Sequence, residues 1–138
     1  LQRLARQLHI DRQVHFIGYL DRNRELPDCY AAADAFVFAS QTETQGLVLL
    51  EAMRFARPVV VSDIPGSGTG WVVHTGGHGL TVAPGDAAAL ARALRELHAD
   101  PARRALLGDA GQTALRERFG IGPVATAIKT VYRQLLSR

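Results

Sequence analysis

The chain has 138 residues, 47% of them hydrophobic and 21% charged, with 16 basic and 13 acidic side chains for a net charge of +3. This supports one domain with its own core and argues against disorder. No apolar run approaches the ~20 residues of a membrane-spanning helix, and the arginines are scattered rather than gathered into a basic stripe with aromatics, so nucleic acid is not an expected partner. In chain order, a helix is predicted over residues 1–8, a strand over 14–17, and a helix over 24–33 with Pro27 in its first turn, where proline is tolerated. The strand at 35–39 is almost wholly apolar, as expected of a strand covered on both faces. A helix at 45–55 and a strand at 58–62 follow. Residues 65–79 read as a loop, with six glycines between Gly66 and Gly79. A short strand at 80–82, helices at 87–98 and 101–119, and a last helix at 123–136 complete the chain. On that last helix Val124, Ile128, Val131 and Leu135 share one face. The single Cys29 excludes an internal disulfide and fits a reducing, cytoplasmic compartment.

The most informative stretch runs from Ser40 to Asp63. It reads as a βαβ unit in which Glu43 precedes a helix, Glu51 lies inside it, and Gly46 sits at its first turn. A helix rises about 1.5 Å per residue, so the two carboxylates are expected roughly 10–12 Å apart along its axis. The N–H groups of Thr44, Gln45, Gly46 and Leu47 have no partner within the helix and carry the positive end of its dipole, which suits an anion. Ionised carboxylates accept hydrogen bonds only, so Glu43 and Glu51 suit a ligand rich in hydroxyls. Gly46, without a Cβ, lets a ligand approach the backbone. Plainer readings stand beside these. Glu51 reads equally as a solvated helix residue, Glu43 as a first-turn acid, and Gly46 as a packing glycine. Leu47, Leu50 and Met53, at helical spacing, are expected in the core.

With Glu43 to Glu51, then Ala52-Met53 and Pro58-Val59-Val60, the chain resembles the E-x7-E signature of the retaining glycosyltransferases of family 4, also called group 1. Three further blocks match in order. They are Val14-His15-Phe16-Ile17-Gly18-Tyr19, the run from Tyr30 to Ser40, and Gly79-Leu80-Thr81-Val82 with Pro84-Gly85-Asp86. The resemblance implies an α/β fold with a Rossmann-like parallel sheet flanked by helices, the C-terminal, nucleotide-sugar-binding domain of a GT-B enzyme. It implies that Glu43 is the catalytic-site carboxylate holding donor-sugar hydroxyls, that Gln45, Gly46 and Leu47 offer amides to the diphosphate, and that Glu51 binds the ribose; Thr44 is counted as donor-binding with them from its free amide at the helix start. Gly18, Tyr19 and Leu20 would lie against the base. It further implies a nucleotide diphosphate sugar as donor substrate, transfer with retention of configuration, and no cofactor or metal.

Some features depart from the family pattern. The Arg and Lys that usually neutralise the diphosphate lie upstream of anything here. The chain starts at Leu1 inside a helical pattern without an initiator Met, which reads as a piece truncated on its N-terminal side. Its glycan, lipid or other hydroxyl acceptor is then expected to bind through a missing N-terminal domain, toward which the helix at 123–138 would cross. Alternatively that helix packs on its own domain, or a second copy of the chain covers it in a homodimer. In a sheet of order 3-2-1-4-5-6 the missing segment supplies two central strands. Strand 14–17 then pairs directly with 35–39, or a dimer partner replaces the missing strands. The Arg-rich helices suggest peripheral contact with an anionic membrane. Where many members carry an acidic residue, Gly66-Ser67-Gly68-Thr69-Gly70 leads into Trp71-Val72-Val73 instead.

Other constellations fail. His74 and His78 sit among glycines without a third ligand, the glycine run lacks dinucleotide-binding spacing, and there is neither a P-loop nor a G-x-S-x-G elbow. Two functions therefore remain. One is the donor-binding half of a glycosyltransferase, for which the piece alone is expected to bind a nucleotide sugar weakly and transfer nothing. The other is a binding-only or regulatory module on the same scaffold.

Overall fold

Three parallel strands organise the computed structural model, which describes residues 1–75 and 77–137. Gly76, one of the six glycines of the predicted loop, lies outside the described residues. The strands are β1 (Phe36–Phe38), β2 (Val59–Ser62) and β3 (Gly79–Val82), in the order β1-β2-β3. The register places Phe36 beside Val59 and Val59 beside Gly79. Helices α1 (Gln2–Gln7), α2 (Glu25–Ala32), α3 (Leu47–Arg54), α4 (Gly68–His74), α5 (Ala87–Ala99), α6 (Pro101–Ala114) and α7 (Ile121–Leu136) surround them, with a π-helical turn, Leu115–Phe119, joining the last two.

β2 is the central strand, and all four of its residues are buried. Side chains alternate between the faces of a strand. Val59 and Val61 accordingly pack with Leu49, Met53 and Val72 of α3 and α4 on one side, and Val60 with Ala93 and Leu97 of α5 on the other. Burying each such side chain contributes about 1.5–3 kcal/mol. The α/β architecture with helices on both faces of a parallel sheet is the expected one.

The structure corrects several expectations. Residues 14–17 form no strand and do not pair with β1. A strand needs a neighbour to take its backbone hydrogen bonds; no described strand lies beside this segment, and Phe16 and Ile17 are exposed. β1 is an edge strand with Val37 exposed, rather than a strand covered on both faces. The glycine-rich stretch is not all loop, since α4 occupies half of it. The Ser67 side chain caps this helix by accepting from the N–H of Thr69. Thr69 is fully buried and donates its hydroxyl to the carbonyl of Ser62. On α7, Val124, Ile128, Val131 and Leu135 are all exposed. No described helix is long and apolar enough to cross a membrane.

Candidate active site

The loop from β1 to α3 lies at the carboxyl end of the sheet, the usual ligand position in open α/β folds. α3 begins at Leu47, two residues later than predicted, and Gly46 caps it with φ at +69°. A Cβ at Gly46 would also lie 3.0 Å from the Thr69 side chain. Glycine is thus required here by a left-handed backbone and by packing against α4, reasons different from ligand approach.

The amides ahead of α3 are already engaged. Glu43 Oε1 accepts from the N–H of Thr44 at 2.8 Å, of Gln45 at 3.1 Å and of Gly46 at 3.2 Å. The bonds from Gly46, Gln45 and Thr44 hold the Glu43 carboxyl below its ordinary value. The arrangement is a nest of converging N–H groups closed on an anion, with Glu43 itself supplying that anion. Residues 43–46 are not helical, so helical rise does not set the Glu43–Glu51 separation.

Glu51 lies one turn into α3, and each of its oxygens is held by a different residue. Arg22 Nη2 donates to Oε1 at 2.6 Å and the Tyr30 hydroxyl donates to Oε2 at 3.1 Å. Arg22 is positioned by a tight turn, in which the Asp21 carboxylate accepts from the N–H of Asn23 and Glu25 accepts from the N–H of Asp21. The Tyr30 ring stacks on Phe55 at 5.9 Å. Burial, then the bond to Glu51 and its charge, push the Tyr30 hydroxyl up to about 12. A shallow pocket of about 60 Å³ opens here, lined by Arg22, Leu26, Tyr30, Glu51 and Phe55 among others. Neither Arg22 nor Tyr30 was singled out as a ligand-site residue. They lie 29 and 21 positions from Glu51, and nothing in local spacing signals the meeting.

The remaining predicted residues are spread out. Gly18 adopts φ +78°, Tyr19 is 92% exposed and Leu20 half-buried, just ahead of the Asp21 turn. Thr44 and Gln45 are exposed. Leu47 is 58% exposed instead of entering the core; Leu49, Ala52 and Met53 form the buried face, with Leu50 half-buried beside it. A wider cleft borders Thr44 on the α4 side, lined by Asp63, Ser67, Trp71 and His74 among others. There Asp63 Oδ2 and His74 Nε2 are 3.0 Å apart, a pair the sequence reading did not mark.

The family profile described as "Glycosyl transferases group 1" matches residues 1–114. The chain belongs to the group 1 glycosyltransferases. A glycogen synthase of Mycobacterium tuberculosis is 39% identical over 128 residues, covering 93% of this chain and 30% of that protein. The sucrose-phosphate synthase structure from Thermosynechococcus elongatus superposes with a TM-score of 0.85 at 34% identity, over 99% of this chain and 33% of that one. The Anabaena HepE structure in complex with UDP gives a TM-score of 0.81 at 25% identity, over 99% of this chain and 36% of that one. This group 1 chain therefore spans about a third of the length of these relatives, and its fold is that of GT-B glycosyltransferases.

Proposed function

We propose that this chain is the donor-binding, C-terminal part of a retaining glycosyltransferase that moves a hexose from a nucleotide diphosphate sugar to a glycan, lipid or other hydroxyl acceptor. The observation that carries this reading is the Glu43 nest. Three backbone N–H groups already hold an anion at the carboxyl end of the sheet, directly ahead of the helix that carries Glu51. When the donor enters, its diphosphate replaces the Glu43 carboxylate on the amides of Thr44, Gln45 and Gly46. The freed carboxylate turns to the sugar hydroxyls. Glu51 accepts from the ribose hydroxyls, and Gly18, Tyr19 and Leu20 border the base. The bond from the anomeric carbon to the phosphate oxygen then breaks, and the bond to the acceptor oxygen forms on the same face. The nucleoside diphosphate leaves, taking the acceptor's proton. No metal is part of the proposed reaction. Support for a uridine donor is that HepE was solved with UDP. The acceptor side, with α7 reaching toward it, belongs to the same proposal.

A second reading, a binding-only or regulatory module, draws on the same nest, because a carboxylate that stays on its own loop is not free for the sugar. Calorimetric titration with UDP, GDP and their glucose or mannose conjugates, repeated on Glu51→Ala, tests the first reading. The expected result is one nucleotide that binds and loses about tenfold or more in affinity in the variant. Unchanged affinity in Glu51→Ala overturns the ribose assignment. Nucleotide binding without any transfer by the protein in its full natural length favours the second reading.

A further inference from the structure

Tyr30 is held independently of the carboxylate it touches. Its ring lies 5.9 Å from Phe55 with an 8° interplanar angle, and 5.7 Å from Phe36. From that anchored ring the hydroxyl reaches Glu51 Oε2 at 3.1 Å, while Arg22 takes Oε1 at 2.6 Å. A carboxylate held at one oxygen still turns about its last bond; held at both, its plane is set. Each carboxylate oxygen offers about two lone-pair sites. One bond apiece from Tyr30 and Arg22 leaves one site free on each oxygen. Two adjacent free acceptor sites match two adjacent hydroxyls.

We propose that Tyr30 is a positioning residue which, together with Arg22, fixes the Glu51 carboxylate to receive both the 2′- and 3′-hydroxyls of a ribose, and so selects ribose over 2′-deoxyribose. The inference rests on the ribose assignment of Glu51 made above. Burial and the Glu51 charge keep the Tyr30 hydroxyl protonated across the neutral range, so it acts toward the carboxylate as a donor throughout. Arg22 is 75% exposed at its side chain. Exposed ion pairs of this kind contribute little to stability, which leaves orientation as its role.

The test is calorimetry on the protein in its full natural length, with UDP against 2′-deoxy-UDP and GDP against 2′-deoxy-GDP. The variants are Tyr30→Phe, Arg22→Gln, Glu51→Ala and the Tyr30→Phe/Glu51→Ala pair. The expected result is that Tyr30→Phe weakens the ribonucleotide by about three- to tenfold and leaves the deoxynucleotide within about twofold. In turnover the donor KM rises while kcat holds. On the Glu51→Ala background Tyr30→Phe adds nothing. Arg22→Gln, which leaves the core untouched, shifts ribose preference in the same direction and provides an arm independent of the Tyr30 ring. An unchanged ribose preference in both single variants overturns the proposal. So does an equal loss for both sugars, or a Tyr30→Phe effect that persists without Glu51. If Glu51→Ala weakens binding and Tyr30→Phe does not, the positioning role alone falls. If Glu51→Ala changes nothing, or the wild type binds neither ribonucleotide, the donor-site reading falls and takes the inference with it.

Discussion

The backbone N–H of Gly68 donates to the carbonyl of Thr44 at 2.9 Å, which ties the first turn of α4 to the loop that carries Glu43. A Cβ at position 68 would lie 2.8 Å from the carbonyl oxygens of both Thr44 and Gln45. These are backbone atoms that cannot swing aside. Gly68→Ala is expected to destabilise the fold by about 1–3 kcal/mol, the usual range for overpacking, and to weaken nucleotide binding by displacing the loop. Gly122→Ala is the control, since nothing lies within 4 Å of its Cβ position. Urea unfolding checks both, with a fall in midpoint at constant m expected for Gly68→Ala alone.

The Glu43 nest carries a pH signature. Its folded-state pKa lies below the ordinary 4.5 because the N–H groups of Gly46, Gln45 and Thr44 favour the charged form. A carboxylate depressed in this way stabilises the loop fully above pH 4.5 and loses that contribution as pH falls through its lower folded-state value. Amide protection at Thr44, Gln45 and Gly46, followed by NMR, is expected to fall over that acid window in the wild type. In Glu43→Gln the same amides show no such titration.

Removing the Glu43 carboxylate separates two steps of the proposed cycle. Glu43→Ala frees the amides for a diphosphate and deletes the group that meets the sugar. Nucleoside diphosphate affinity is expected to hold or rise, while transfer falls by about 100-fold or more, because an interaction gained at the reacting sugar acts on the transition state. Calorimetry and a transfer assay read the two effects independently. Parallel losses in both contradict the exchange.

Leu49 and Leu47 stand two positions apart on α3 and are expected to behave oppositely. Leu49 is fully buried among Met53, Val59 and Val72, whereas Leu47 is 58% exposed. Leu49→Ala is expected to cost about 2–5 kcal/mol. Leu47→Ala is expected to stay within about 0.5 kcal/mol. Equal effects in thermal unfolding contradict the observed orientation of α3.

The Val-Val-Val of β2 made the central strand legible, because a strand buried on both faces is made of apolar residues, and the apolar run at 35–39 marked β1 although that strand is an edge with Val37 exposed. The entrance to α3 was legible from Glu43 and Gly46. What escaped was set by distant neighbours. Residues 14–17 have the composition of a strand but no described strand beside them. α4 was hidden because glycine is a poor helix former. Gly68 is nonetheless demanded by the Thr44 and Gln45 carbonyls, and the Ser67 cap supplies a local start. Tyr30 and Arg22 reach Glu51 across 21 and 29 positions of chain, and no spacing rule encodes that meeting.

The open side of β1 bears on how the protein is handled. β1 pairs with β2 alone among the described strands, and Val37 on it is 38% exposed. Three residues span roughly 10 Å of sheet edge, short enough to limit stacking of one molecule on the next but apolar enough to invite it. This edge adds to the face of α7, where Val124, Ile128, Val131 and Leu135 are also exposed, as apolar surface on which one molecule can meet another. Val37→Lys places a charge at that edge without replacing a residue of either core cluster, and leaves the α7 face as the remaining apolar surface.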